Sequence, residues 1–507
     1  MAAQDELFEL IKSLSSSEKR YFKTNAKKGG EAKSNYVELF DAMDAQGDEY
    51  DEHLLKTKHA KKAFVKYLPA EKKYLREQIM KQMRAFHSEN TIDNTINQLL
   101  SDAKIFRDKG LVSLHEKSLT KAKELATKYE RYYLLSETLS RLVGFVIEFE
   151  KKKLSEPVIQ LINEQKQLAI YQETGLELQT KNRELFSLLR SGADMEIQQN
   201  VDRAKMLITE VERFRIRIGQ SFSLGVQFNR AYSNYSQLFR NWSDSLNYTV
   251  EEYNLYQNND HFIAENPHNY KLCLANLMSR AMSAKNDKWF KKALAEMKAA
   301  PTNTFNEEGE VFQNIYFQEH LYYINNGEFE KAESLVPIIE EGLIKYEPKI
   351  NKARKVAFQF NIMIMYFVMH RFKDALKWTQ PLLDDASEIK QHQKFVTVLL
   401  LPFIHFELGH AELVDSFARS AYRLLKRKER LHEFERIVLK YLDKMPLSPS
   451  QPDFNSKSLE LSTKLDKLIR NPKIPMILGM EELSLWAKSH VTNKKMTVLL
   501  QEVITSA

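Results

Sequence analysis

Cysteine is nearly absent from this chain of 507 residues, and glycine and proline are scarce. Cys273 is the only cysteine, which excludes a disulfide within the chain and any metal cluster built from cysteines alone. A single cysteine is typical of proteins that fold in a reducing compartment. The chain contains 14 Gly and 13 Pro. These are too few turn-forming residues for a strand-rich fold, which needs a turn about every eight to twelve residues. The composition therefore predicts an all-α protein.

Long apolar runs are also lacking. The most apolar stretch, residues 395–404, is interrupted by Pro402, and it is about half the length of a membrane-spanning helix, which needs about 20 residues. Residues 1–10 carry three carboxylates and lack the basic and then apolar pattern of a signal peptide. We therefore expect no membrane partner and a cytoplasmic location.

No motif in the chain points to catalysis. Nucleotide binding needs a glycine-rich loop, and neither G-x-G-x-x-G nor G-x-x-x-x-G-K-[ST] occurs, nor does H-E-x-x-H or a paired C-x-x-C. The acidic cluster 48–53, which ends in His53, offers oxygen ligands for a cation, but acids at such a position are more typical of a helix N-terminus. His405 and His410 are five residues apart and do not share a helical face. We predict a protein that is not an enzyme, with no cofactor and no metal.

Positive charge is concentrated near the N-terminus. Residues 56–87 hold ten Lys or Arg against Glu71 and Glu77, a balance of +8, whereas the whole chain carries +7. One interpretation is a surface that follows a nucleic-acid backbone; the other is a solvated helix face whose charge is answered by acids elsewhere in the fold. No helix-turn-helix with a glycine turn accompanies the segment. The candidate nucleic-acid-binding residues are Lys61, Lys62, Lys72, Lys73, Arg76 and Arg84.

A short sequence motif, the recurrent phrase, occurs four times where one helix is expected to end and the next to begin, at residues 289–293, 327–332, 370–375 and 409–414. The phrases end at Ala293, Ala332, Ala375 and Val414, which gives steps of 39 (293 to 332), 43 (332 to 375) and 39 (375 to 414). Recurrence at such a period is typical of stacked helical hairpins. Stacks of this kind mostly serve as binding surfaces.

The unit around Ala332 resembles a tetratricopeptide motif, a helix pair of about 34 residues with large aromatic residues in the first helix and a small residue early in the second. Tyr316 and Tyr323 match the aromatic positions, Gly327 falls in the turn, and Pro348 follows the second helix. The resemblance implies an α-solenoid of antiparallel helix pairs that winds into a right-handed superhelix. It is clearest over residues 270–430.

Three departures accompany the resemblance. His320 and Met363 stand where the family has a small residue, so the helices there must cross more widely. Pro402 falls inside a predicted helix and should kink it. The periods of 39 to 43 also exceed that of the family.

The chain divides by pattern into four parts. A small N-terminal helical unit covers residues 1–110, and the tetratricopeptide-like array covers 111–444, with helix breaks expected at several glycines, among them Gly175. Residues 445–455 are rich in Pro and Ser and predict a stiff linker, although their proline period also fits a polyproline docking motif. Residues 456–507 predict C-terminal capping helices. We expect these to cover an apolar face of the array that includes Phe403 and Phe406.

Polar side chains predict a binding groove on the inner face of the array. In tetratricopeptide arrays the first helix of each pair lines a concave groove, and amide side chains there can both donate to and accept from a peptide backbone. One stripe recurs at i, i+3, i+7 and i+10 of a helix, and a similar stripe follows later; an ordinary solvated helix face is the alternative. The candidate peptide-binding residues are Gln227, Arg230, Asn234, Gln237, Asn314, Gln318 and Asn325.

Two functions follow from these patterns. The first is a non-catalytic scaffold that binds an extended peptide or protein segment in the concave groove of the array. The alternative is a regulator, in which the basic N-terminal unit binds nucleic acid while the array senses a ligand or peptide.

Overall fold

The structure is a computed structural model. It describes residues 5–28, 35–47, 49–87, 91–149, 155–191, 195, 197–219, 221–384, 391–429, 431–444, 450–470 and 479–506. Within these residues the regular elements are all α-helices, so the predicted all-α class is confirmed. In chain order the helices are α1 (Glu6–Ser13), α2 (Ser16–Lys28), α3 (Asn35–Asp44), α4 (Glu52–Lys58), α5 (Ala63–Lys66), α6 (Leu68–His87), α7 (Ile92–Asp108), α8 (Val112–Lys128), α9 (Tyr132–Phe149), α10 (Glu156–Ser191), α11 (Gln198–Arg213), α12 (Arg215–Ile218), α13 (Phe222–Leu238), α14 (Trp242–Gln257), α15 (Asp260–Glu265), α16 (Pro267–Ser283), α17 (Asp287–Ala299), α18 (Phe305–Asn325), α19 (Phe329–Ser334), α20 (Val336–Lys345), α21 (Lys352–Val368), α22 (Phe372–Asp384), α23 (Gln391–Glu407), α24 (Ala411–Arg427), α25 (Glu433–Lys444), α26 (Gln451–Ile469), α27 (Met480–Thr492) and α28 (Met496–Ser506).

Helix starts follow the capping residues in the sequence. Ser15 and Glu18 form a capping box before α2: the Ser15 N–H donates to Glu18 Oε2 at 2.7 Å, and the Glu18 N–H donates to Ser15 Oγ at 3.3 Å. Asp51 caps α4, because its Oδ1 accepts from the Leu54 N–H at 2.8 Å. Thr91 and Asn286 cap α7 and α17 in the same way.

Seven of the described helices end in the same kind of turn, which we call the left-handed turn. At each, a residue with positive φ follows the helix, and the next backbone N–H donates to the carbonyl five residues earlier, as in a Schellman motif. Four of the residues with positive φ are not glycine: Glu130, Arg240, Lys285 and His370. The residues at the turn are Gly110, Glu130, Arg240, Lys285, Gly327, His370 and Gly409, and the closing N–H···O distances lie between 2.8 and 3.0 Å. Lys285 lies just before the first recurrent phrase, and Gly327, His370 and Gly409 are the first residues of the other three.

The chain folds into two compact units. Unit 1 contains Met1–Thr180, Arg213–Phe228 and Leu255–Pro267, and unit 2 contains Lys181–Glu212, Asn229–Asn254 and His268–Ala507. In unit 1, one apolar core fills the space among α1–α6 and another lies among α7–α10. In unit 2, a core runs from α18 to α28. The boundaries at 110, 444 and 455 stay predictions.

Two expectations about helix limits are wrong. No break occurs at Gly175, because this residue lies inside α10, which is 36 residues long. Helix α26 begins at Gln451 with Ser450 as its N-cap, so the end of the predicted linker 445–455 is helical, while residues 445–449 lie outside the described residues. None of the described helices combines the length and apolar character needed to cross a bilayer.

Candidate functional site

The predicted amide stripe lies on α13, but its residues differ in what their side chains contact. Gln227 belongs to unit 1 and is half-buried; Arg230, Asn234 and Gln237 belong to unit 2. The Arg230 Nε–H donates to Glu252 Oε1 at 2.8 Å, and Glu252 is only 1% exposed. Burial raises the pKa of Glu252, against the opposing effect of Arg230. Arg230 is therefore the counter-ion of a buried carboxylate.

Asn234 lies inside a polar network of unit 2. Its Nδ2–H donates to Asn182 Oδ1 at 2.8 Å, and its Oδ1 accepts from Arg280 Nη2 at 3.0 Å. The Arg280 Nε–H also donates to Ser233 Oγ at 3.3 Å. Burial lowers the pKa of Arg280 to about 10, although Glu252 opposes that shift. The network joins α10, α13 and α16, so its geometry suits helix packing.

The second predicted stripe, on α18, is also uneven. Asn325 is exposed and Asn314 is half-buried, but Gln318 is 8% exposed, the same fraction as Asn234. The expectation that Asn234 and Gln318 face an open groove is therefore wrong. Helical spacing predicts the face on which Asn234 and Gln318 lie, but it does not show what packs against that face.

Acids of unit 1 neutralise part of the positive charge of the basic N-terminal residues. Lys72 Nζ lies 2.7 Å from both Asp5 Oδ2 and Glu52 Oε2, and 4.5 Å from the Tyr50 ring centroid. Lys62 pairs with Glu38 at 2.9 Å, and Arg76 lies 3.5 Å from Glu6. The exposed members are Lys61, Lys62, Lys73, Arg76 and Arg84. Lys72 is thus an internal ion-pair residue of unit 1.

Residues with metal-binding character do not assemble into a site in the described part of the chain. No group of three or more His, Cys, Asp or Glu there has the geometry to hold a metal ion. The Nδ1 atoms of His405 and His410 are nevertheless 3.1 Å apart. The left-handed turn at Gly409 brings them together, which helical spacing does not predict. Burial raises the pKa of the Cys273 thiol, so this cysteine is a poor nucleophile.

The apolar face predicted to need a cover is packed against the C-terminal helices. The Trp486 ring on α27 lies 4.7 Å from that of Phe403 and 6.2 Å from that of Phe406. The Phe454 ring on α26 is 5.2 Å from Phe406. Among the described residues, Phe403 and Phe406 therefore do not face an open apolar groove.

A cavity of about 740 Å³ lies between α25 and α26, and we call it the basic groove. Its apolar lining residues are Ile437, Tyr441, Leu461 and Leu468. Six cations line it against the two carboxylates of Glu433 and Glu460, a balance of +4. The cations are Arg436, Lys440, Lys444, Lys457, Lys464 and Lys467.

Charge in the basic groove is only partly neutralised. Lys464 pairs with Glu460, and together with Lys444 and Lys440 it lowers the pKa of that carboxyl. Lys457 pairs with Asp453 at 2.8 Å. On α25 the cations recur at every fourth residue, and like charges at that spacing cost about 0.2–0.5 kcal/mol per pair. The three cations of α25 therefore repel one another weakly in the folded chain.

Comparisons with known proteins give no match. No family model, no curated protein and no solved structure matches the chain. The basic groove was missed at the level of sequence because the charge outside residues 56–87 is near neutral overall. The four-residue spacing of Arg436, Lys440 and Lys444 was the signal that could have shown it.

Proposed function

We propose that this chain is a non-catalytic protein-interaction scaffold, built as a tetratricopeptide-like solenoid of antiparallel helix pairs, that binds a peptide or protein segment. We also propose a cytoplasmic location, which the single, buried cysteine supports.

The observation that carries the proposal is the left-handed turn of unit 2. It recurs at intervals of 45 (240 to 285), 42 (285 to 327), 43 (327 to 370) and 39 (370 to 409) residues. A turn with one geometry reverses the chain in the same manner each time, which favours stacked helix pairs over an irregular bundle. Stacked pairs expose extended surfaces that suit a peptide or protein segment.

Within the predicted groove, α18 offers the open positions. Asn325 is exposed and Asn314 half-buried, and the amide of each has both a donor and an acceptor for a peptide backbone. Arg230, Asn234 and Gln318 support the packing around such a surface, since their side chains are largely buried.

The test begins with cross-linking of the full chain in a cell extract to identify bound protein segments. Fluorescence anisotropy then measures the affinity of each segment for the wild type and for the Asn314→Ala/Asn325→Ala variant. We expect binding that the variant weakens about fivefold, as the loss of one or two net hydrogen bonds implies. Gln160→Ala, at an exposed residue of α10, is the control and should bind like the wild type.

Two outcomes would count against parts of the proposal. If no segment binds the full chain, the scaffold function is wrong. If a segment binds the wild type and the α18 variant equally, the function stands but Asn314 and Asn325 are not its site.

A further inference from the structure

We infer that the basic groove binds an acidic amphipathic helix from a partner protein. The inference rests on the proposed function as a protein-binding scaffold, and it adds a surface distinct from the α18 amides together with the chemistry of the partner.

The floor of the basic groove is apolar. Leu461 is 2% exposed, Leu468 is 6% and Tyr441 is 7% exposed, while Ile437 is half-buried. The Tyr441 hydroxyl is already used, because it lies 2.9 Å from Ser458 Oγ. A partner therefore gains affinity at the floor chiefly by packing an aliphatic or aromatic side chain against Ile437, the floor residue that keeps exposed surface.

The two rims of the basic groove are cationic. Arg436, Lys440 and Lys444 follow one stripe of α25, and Lys457, Lys464 and Lys467 follow one stripe of α26. Arg436, Lys440, Lys444 and Lys467 form no ion pair with any other residue that the structure describes. Residues 445–449 and 471–478, which lie outside the described residues, contain no Asp or Glu. The rims thus carry positive charge that acids on a partner can neutralise.

An apolar floor between two cationic rims matches one kind of surface, an apolar stripe flanked on both sides by acids. An α-helix with apolar residues at i, i+3, i+4 and i+7 and acids on its flanks presents that pattern. A third helix also fits the depression between two packed helices, where its ridges fill the groove. The shape and the charge therefore select the same partner.

Nucleic acid fits the basic groove less well. Phosphate recognition needs cations but gains nothing from a floor of leucines. Tyr441, the one aromatic residue of the lining, is buried and offers no face for stacking a base.

The test uses the full chain and a fluorescein-labelled peptide of about 16 residues, with Leu on one helical face and Glu on its flanks. A scrambled peptide of equal composition and a DNA duplex of about 16 base pairs are the competing probes. Lys440→Glu/Lys444→Glu reverses two rim charges. Arg423→Glu/Arg427→Glu is the matched control, since these exposed residues of α24 have the same spacing and lie outside the groove.

We expect saturable binding of the amphipathic peptide by the wild type, about tenfold weaker binding by the rim variant, and binding within about twofold of wild type by the control. Ile437→Ser should weaken the amphipathic peptide and not the scrambled one, because only the former uses the floor. All variants change exposed or half-buried residues, and their unfolding midpoints should match the wild type.

Three results would overturn the inference. These are an absence of saturable peptide binding, equal binding of the scrambled peptide, and tighter binding of the duplex that the rim variant abolishes, which would make the groove a nucleic-acid site. If a captured protein segment binds the full chain while the amphipathic peptide does not, the proposed function survives and the groove inference fails. If no segment is captured at all, the function itself fails.

Discussion

The indole N–H of Trp486 donates a hydrogen bond to Oε1 of Glu407, and the two atoms are 2.6 Å apart. The same oxygen lies 2.6 Å from Nε2 of His490. Trp486 is 0% exposed, so its ring is fully enclosed by unit 2 while its one polar atom keeps a charged acceptor. This contact ties α27 to the end of α23.

Loss of the Trp486 ring should therefore cost much of the stability of unit 2. We expect Trp486→Ala to lower the free energy of unfolding by about 3–5 kcal/mol, since it leaves a cavity and removes one of the two hydrogen-bond partners of Glu407 Oε1. Deletion of residues 456–507 should expose the same surface and increase the binding of a hydrophobic dye. Tyr422→Ala, at an exposed position of α24, should change stability by less than about 0.5 kcal/mol in the same urea titration. Similar losses for both tryptophan and tyrosine variants would contradict the packing.

The left-handed turn predicts a stabilising substitution. Lys285 has φ 51°, a conformation that costs a residue with a Cβ about 1 kcal/mol or more relative to glycine. Lys285→Gly should raise the free energy of unfolding by about 0.5–1 kcal/mol. Gly409→Ala should lower it by a similar amount, because φ there is 77° and nothing within 4 Å would clash with the new methyl group. Thermal unfolding of both variants measures whether stability rises in Lys285→Gly and falls in Gly409→Ala. A loss of stability in Lys285→Gly would contradict the left-handed conformation of Lys285.

His320 predicts a loss of stability in acid. Its side chain is 0% exposed, and burial lowers its pKa to about 4, below the ordinary value of about 6.5. The unfolded chain therefore takes up a proton between about pH 6.5 and 4 that the folded chain does not, so stability is complete above that range and falls as the pH is lowered through it. The slope from this group is at most about 1.4 kcal/mol per pH unit. Burial also lowers the pKa of His370, which accepts the Met496 N–H at 3.0 Å and should add to the slope.

Urea unfolding at pH values between about 7 and about 4.5 measures how the free energy of unfolding depends on pH. His320→Leu should flatten it, whereas substitution of the exposed His432 should leave it in place. An unchanged slope in His320→Leu would show that other groups cause the acid sensitivity.

Arg230 distinguishes packing from ligand binding. Because Arg230→Ala leaves the buried Glu252 without its counter-ion, we expect it to cost about 3–5 kcal/mol of stability. The Arg230→Ala/Glu252→Leu double variant should recover part of that loss, since the stranded charge is removed. A stable Arg230→Ala single variant that loses affinity for a protein segment would instead support the sequence-based role in peptide binding.

Substitution of Lys72 tests the same two alternatives in unit 1, a role in packing and a role in ligand binding. Burial acts against the charged ammonium, but hydrogen bonds to Asp5 and Glu52 prevail and raise the pKa of Lys72. Lys72→Met should therefore cost about 1–3 kcal/mol, and Lys73→Met, at an exposed residue, should cost less than about 0.5 kcal/mol. Equal stabilities of the two variants, measured by thermal unfolding, would contradict the internal role.

Some features of this fold were predictable from sequence because local chemistry decides them. The scarcity of glycine and proline indicated helices, and the three-residue spacing of Ser15 and Glu18, which form a capping box, is a local signal for the start of α2. Other features depend on what packs from elsewhere in the chain. Helix spacing put Asn234 on a polar face, but only the fold shows that Arg280 and Asn182 occupy that face. Likewise, nothing local to Lys72 reveals that Asp5 approaches it.

Hydrogen exchange of the full chain, with and without the amphipathic acidic peptide, tests the central claim that this is a protein-binding scaffold with a basic groove. We predict slower exchange of backbone amides in α25 and α26 when the peptide is bound, and no such change in the Lys440→Glu/Lys444→Glu variant. Unchanged exchange in α25 and α26 at saturating peptide, or protection confined to residues 56–87, would contradict the account.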